Sequence, residues 1–194
     1  WLGLSTDWMD PTNWCGGLPT NTKDVIIPGS LTNYPIITAA GPVSRDLQIN
    51  SGATLTIQSG ASIGIAGNVV NNGTVNNQGS IVLNGTGAQS FPGGTTGVFS
   101  NMNILEVNKA SGAVTINKKV RVNGIFKPTA GNVTLSDTIV ITSNASGTAS
   151  IDQVGATASF TYNGAGKFTV ERYIPTGIAH GKGWQFLAPA TKGQ

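Results

Sequence analysis

Residues 51–85 read "SGATLTIQSGASIGIAGNVVNNGTVNNQGSIVLNG", a stretch without one charged side chain and with glycines at 52, 60, 67, 73, 79 and 85. A chain interrupted by glycine every six to eight residues cannot hold a long helix, because glycine in a helix interior is unfavourable and the turn-forming Ser-Gly, Asn-Gly and Asn-Asn-Gly pairs tolerate positive φ. The gaps hold short runs in which aliphatic and polar residues alternate, as in Leu55-Thr56-Ile57. Alternation of period two sends one face inward and the other to water, which is the pattern of a half-buried strand.

The same pattern recurs beyond this stretch, in Leu47 to Asn50, Ile104 to Val107, Ala113 to Asn117, Lys119 to Asn123, Asn132 to Leu135 and Thr138 to Thr142. Each run is three to six residues long, so the fold class is all-β. Two architectures suit many short strands, a sandwich of hairpins or a coil of stacked parallel strands. Sandwich strands come with turn signals every 8 to 12 residues. The closer spacing here fits the sides and corners of a solenoid. The segments "INSGATLTI", "IQSGASIGI" and "VNNGTVNNQGSIVL" read as degenerate copies of one another, the mark of a repeat architecture. Stacking such copies would set equal charges face to face between neighbouring strands, which accounts for their absence. It would also place asparagines above one another at about 4.8 Å, where their amides can form ladders at the turns.

Only 10% of the 194 residues are charged, while 39% are hydrophobic. Disordered chains combine low hydrophobicity with high net charge, so a packed core is expected here, with a surface of Asn, Thr, Ser and Gly. No apolar run approaches the roughly 18 to 20 residues of a membrane-spanning helix, so no membrane insertion is expected. The formal charge of +3 is local. Lys109, Lys118, Lys119, Arg121 and Lys127 fall in a stretch without acids, and Phe126 is the only aromatic there to stack a base. That stretch reads as a solvated basic face and not as a nucleic-acid site. Cys15 is the only cysteine, which excludes an internal disulfide, and it reads as a buried spectator thiol.

Three segments break the monotony. Residues 1–45 hold three of the four tryptophans and read as a cap over the N-terminal end of the coil, which otherwise exposes apolar core and unpaired edges. Residues 46–160 read as the rungs, with a loop at 85–101 too long for a simple corner. Residues 161–194, which carry His180 and Trp184, read as the last strands and an exit toward a further domain.

The head reads Trp1, then "TDWMDPTNWCGGLPTNTKDVIIPGSLTNYPII", followed by "LQINSGATLTI". The pattern Asp-Trp, Asn-Trp, Gly-Gly-x-Pro, Asp-Val-Ile-Ile-Pro and Tyr-Pro resembles a Gly/Asn/Thr-rich β-helix module of very large, multidomain bacterial surface proteins of adhesin type. Many of those proteins leave the cell by the type nine secretion system. The resemblance runs from Trp1 to about Ile174. It implies a right-handed parallel β-helix, an extracellular or cell-surface location, and neighbouring domains in the same longer chain. Similar sequences often match the head cysteine with a second one just before the first repeat strand. This chain has "GPVSRDLQI" there, with Ser44 near that place, so the resemblance implies a free Cys15.

The candidate site residues each carry two readings. Trp8 and Trp14 are either an aromatic platform for sugar rings or the apolar plug that a cap requires. Asp7, Asp10 and Asp24 are either hard oxygen ligands for calcium or turn-capping acids, Asp10 before Pro11 especially. No other cofactor is expected. A polysaccharide lyase or glycosidase would need paired carboxylates, or acids holding a metal beside a basic residue on neighbouring rungs. Between 46 and 160 the acids are Asp46, Glu106, Asp137 and Asp152, whose intervals suggest no shared face at a repeat of about twenty residues. An ice-binding face would need a regular threonine array, and Thr74, Thr115 and Thr134 recur at no single interval. His180 has no partner histidine, which disfavours catalysis there. The expected function is therefore a non-catalytic stalk, spacer or adhesive module, with a glycan or cell-surface ligand and self-assembly as its candidate interactions. Any recognition surface is expected on the head or the 85–101 loop, since loops on rigid scaffolds carry function.

Overall fold

A computed structural model describes residues 1–93 and 99–174. Along the chain it runs through β1 (Val25–Ile27), β2 (Ile36–Ile37), β3 (Val43–Ser44), β4 (Leu47–Ile49), β5 (Thr54–Ile57), β6 (Ser62–Ile65), β7 (Val69–Asn71) and β8 (Thr74–Leu83). It continues with β9 (Gln89–Phe91), β10 (Phe99–Ile116), β11 (Val120–Leu135), β12 (Thr138–Ile141), β13 (Ser143–Asn144), β14 (Gly147–Thr148), β15 (Ser150–Ile151), β16 (Thr157–Tyr162) and β17 (Lys167–Val170). Every pairing between these strands is parallel except the small β13–β14 hairpin. The chain is a parallel β-solenoid of about six turns.

Each turn has three sides. On the first, Val25 stands on Leu47 and Leu47 on Val69; a single bridge, Val70 to Gly93, joins this column to the next turn, where Gln89, Val114, Val133 and Phe160 form a second column. On the second, Ile37, Ile57, Asn77, Met102, Val122, Ile141 and Val170 form one column. On the third, Ile63, Ile81, Leu105, Phe126 and Ile151 do the same. Alternate residues point into the coil, and the inward Val, Ile, Leu and Phe side chains of the middle turns are 0–2% exposed. The interior is thus one continuous aliphatic column, closed by branched side chains that pack well on a pleated surface.

The turn is not of constant length. Parallel partners lie 22 residues apart from Val25 to Leu47 and from Leu47 to Val69, but 25 from Gln89 to Val114, 19 from Val114 to Val133 and 27 from Val133 to Phe160. Corners absorb the difference, so the sides stay in register. Strand length also departs from expectation: β8, β10 and β11 run 10, 18 and 16 residues without a break, because their ladders continue around the corners.

Of the three similar segments, the first two are successive sides of one turn and the third stacks on both. "INSGATLTI" enters the second side and "IQSGASIGI" the third. Their glycines, Gly52 and Gly60, take φ values of +80° and +79° at equivalent corners, a conformation that L side chains rarely adopt. What stacks on them is the following "VNNGTVNNQGSIVL", with Thr74 over Thr54 and Ser80 over Ser62. Asn71 and Asn77 turn inward, and their side-chain oxygens accept from the N–H of Gly73 and Gly79, closing their own corners at 3.0 and 3.1 Å.

The coil begins at Val25, inside the segment read as a cap. The head before it lays a partial rung on the first turn: Ile36 donates to the Thr6 carbonyl, Asp7 forms a parallel bridge with Ile36, and the Trp1 amino group donates to the Ile26 carbonyl. The segment expected as a loop at 85–101 contains β9 and the start of β10, and its residues 94–98 lie outside the described ones. At the other end, Ile151, Phe160, Phe168 and Val170 are only partly buried, and β15, β16 and β17 have no partner on their outer edges among the described residues.

Candidate functional site

The corner that leads from the third side back to the first carries most of the ionic and polar structure of the lower coil. Two sequence stretches there repeat at 22 residues, Lys23-Asp24-Val25 and Arg45-Asp46-Leu47. Their acids form a ladder with the turns above. Oδ1 of Asp24 accepts from the Asp46 N–H at 3.3 Å, Oδ1 of Asp46 from the Asn68 N–H at 2.7 Å, and Oδ1 of Asn68 from the Ser90 N–H at 2.8 Å. Each side chain therefore satisfies a backbone donor one turn up, at a corner where the sheet ladder is interrupted. The guanidinium of Arg45 clamps Asp24 through Nε and Nη2, which relieves the repulsion between stacked Asp24 and Asp46. The hydrogen bond from Arg45 holds the Asp24 carboxyl below the usual carboxylate range.

Beside this ladder lies a groove of about 540 Å³. One wall is Thr20, Asn21 and Thr22 from the head; the floor is Val43 and Ala66; Arg45 stands at the edge; the far wall is Asn84 to Gly87, from the start of the 85–101 segment. The volume falls within the roughly 300–1,000 Å³ that small-molecule sites occupy. Its polar groups are hydroxyls, amides and one neutralised cation, with no aromatic ring, thiol or imidazole among the lining residues.

Behind the far wall Lys109 is buried at 2% exposure. Its Nζ donates to the Gly85 carbonyl and to Oε1 of Gln89, and Nε2 of Gln89 donates to the carbonyls of Ile65 and Gly67. Burial lowers the pKa of Lys109. The expectation of a solvated basic face fails here, because neighbouring corners offer Lys109 two oxygens inside the wall. Arg121 pairs with Glu171 and Lys127 with Glu106, which breaks up the remaining charge.

The other sequence candidates are placed as follows. Trp8 and Trp14 are 1% and 7% exposed and belong to the core cluster. Trp14 stacks edge-on to both Trp1 and Trp8, and its Nε1 donates to the Trp8 carbonyl. Neither ring offers an open face to a sugar, because the head folds them onto the first turn. Asp7 accepts from the Met9 N–H. Asp10 caps the short 3-10 helix Pro11–Asn13 and accepts from the N–H and hydroxyl of Thr12, which lowers its pKa. Asp7, Asp10 and Asp24 each hold separate local hydrogen bonds, and no group of three or more metal-ligating side chains gathers among the described residues. Cys15 is exposed and not buried, since it leaves the core at the turn after the 3-10 helix. Ser44 is wholly buried with no partner for its hydroxyl. His180 and Trp184 lie outside the described residues.

Of the remaining acids, Glu106 faces Lys127 across a turn and accepts from Thr129, while Asp137 and Asp152 accept from the next backbone N–H. Asp24 and Asp46 do share a column on adjacent turns, a pair that an acid count starting at 46 leaves out. Threonines too line up despite unequal intervals: Ser90, Thr115, Thr134 and Thr161 stand in one outward column. The sequence reading missed Arg45, Asn84 and Thr86; the 22-residue recurrence of a basic residue before Asp was the available signal for the first.

The fold thus defines a β-solenoid with a groove of mixed polar and apolar lining at one corner. Residues 1–90 match the family model described as Domain of unknown function (DUF8693), which covers the head and the coil through β8. No curated protein and no solved structure matches the chain.

Proposed function

We propose that this chain is a non-catalytic structural and adhesive module, a stalk or spacer within a longer bacterial surface protein that acts outside the cell. The observation that carries this reading is the parallel stacking of strands on three sides around one apolar column, interrupted on the first side only between β7 and β9, where the single bridge Val70–Gly93 joins them. Backbone hydrogen bonds along the axis and a close-packed interior resist bending, so a coil of this kind holds whatever it carries at a fixed distance. In this reading the tryptophan head closes the lower end of the column, and neighbouring domains of the same polypeptide, a glycan or another cell-surface ligand are its partners.

The competing reading, a polysaccharide-degrading enzyme, gains the stacked pair Asp24 and Asp46 beside Arg45. Against it, both carboxylates already accept backbone N–H groups and Asp24 is held by Arg45, which leaves no acid poised as a proton donor. Two measurements test the proposal. Small-angle scattering of the intact chain is expected to give a rod of salt-independent length, and a bent or collapsing particle would sink the stalk reading. Incubation with a polysaccharide panel is expected to release no product, and new reducing ends or unsaturated uronates would establish the enzyme instead.

A further inference from the structure

We infer that the groove between Thr20–Thr22 and Asn84–Gly87 is a binding site for a neutral saccharide, a terminal sugar or a disaccharide. This deepens the adhesive reading and rests on it. The chemistry of the lining selects the ligand class. A nucleotide or sulfated chain calls for unpaired cations, and the one cation at the edge, Arg45, is already neutralised by Asp24. An apolar ligand calls for large hydrophobic or aromatic walls, and the only hydrophobic residues here are Val43 and Ala66. What remains is a lining in which apolar carbon from Val43, Ala66 and the threonine methyl groups predominates, set with hydroxyl and amide groups. That combination fits a sugar ring, whose C–H face packs on the floor while its equatorial hydroxyls meet donors and acceptors at the rim.

The groove is also held in shape. Arg45 is held at the edge of the groove by two hydrogen bonds to Asp24, so its remaining guanidinium N–H groups are fixed donors for a ligand hydroxyl. The far wall is anchored from behind, because the Gly85 carbonyl accepts from buried Lys109 and its N–H donates to Gln89. Asn84 and Thr86 stand exposed on that anchored wall, with their side chains free to turn to a ligand. A preorganised wall spares a ligand the cost of ordering it.

The test uses the full chain against a glycan array, followed by saturation-transfer NMR and titration with the neutral mono- and disaccharides that score, and with a uronate of matched size. Binding of at least one neutral sugar is expected, with Asn84→Ala and Thr86→Val each weakening it about tenfold, the order of one lost hydrogen bond. Both positions are on the surface, and unchanged thermal midpoints would show that the fold is kept. No binding of any sugar at millimolar concentration would overturn the proposal, as would binding that both variants leave intact or a preference for the uronate. A negative outcome leaves the scattering test of the stalk untouched, so the two readings fail separately.

Discussion

Nζ of Lys109 lies 2.5 Å from Oε1 of Gln89, on the turn beneath it, and Lys109 makes no ion pair among the described residues. A buried ammonium held only by neutral oxygens is costly, which is why its pKa is lowered. Between the lowered folded value and the ordinary 10.5, the unfolded chain holds the proton and the folded one does not, so this group's contribution to stability rises with pH through that window. The stability of the native chain relative to Lys109→Met should therefore increase as the solution is made alkaline. Denaturant titrations of both proteins at several alkaline pH values check this, and parallel pH profiles would contradict it.

The corner ladder predicts a contrast at Asp46. Asn68 performs the same task one turn up with an amide oxygen, so Asp46→Asn should change stability little. Asp46→Ala hands the exposed Asn68 N–H to water and should cost about 0.5–1.5 kcal/mol in urea unfolding.

Acid should loosen the same corner from its lower end. The folded pKa of Asp24 is depressed by the hydrogen bond from Arg45, so its stabilising contribution is complete above the ordinary carboxylate value and fades as pH falls through the folded one. Arg45→Met should remove that part of the acid sensitivity, read as a shallower fall of the thermal midpoint below pH 4, the range around the ordinary value of 3.8.

Gly85 lies so close to the turn below that a Cβ there would stand 1.7 Å from the Ala66 carbonyl oxygen. Gly85→Ala should cost about 3 kcal/mol or more, since backbone must shift to admit the methyl group. Gly147, in the β13–β14 hairpin with nothing within 4 Å of that position, is the matched control, and Gly147→Ala should stay within about 0.5 kcal/mol.

Ser44 offers a stabilising change. Its hydroxyl is fully buried in a column otherwise filled by Ile65 and Leu83 and has no partner. Ser44→Ala should raise stability by about 1 kcal/mol, by removing a desolvated polar group. A loss in calorimetry would show that the hydroxyl has a partner after all.

Much of the coil was legible because its signal is local. Leu55-Thr56-Ile57 or Val133-Thr134-Leu135 states which face is inward without reference to any other residue, and Ser-Gly corners state where the chain bends. The burial of Lys109 was not legible, since its partners, Gly85 and Gln89, come from the turn below and nothing beside Lys109 in sequence separates it from exposed Lys119. The groove was half legible: the 85–101 segment stood out as a departure from the repeat, while its opposite wall, Thr20 to Thr22, reads as ordinary head.

The amino-acid sequence alone fixed an all-β solenoid with an aliphatic interior, because period-two alternation and glycine corners act within a few residues. Only the tertiary structure decided what stands on what. Unequal corners make parallel partners lie from 18 residues apart, as in Ile63 and Ile81, to 29, as in Ile141 and Val170, so no fixed interval reveals that Thr115 meets Ser90 and Thr134. Those contacts run along the axis, between strands a whole turn apart, and the register that sets them comes from packing each side of the coil on the one below.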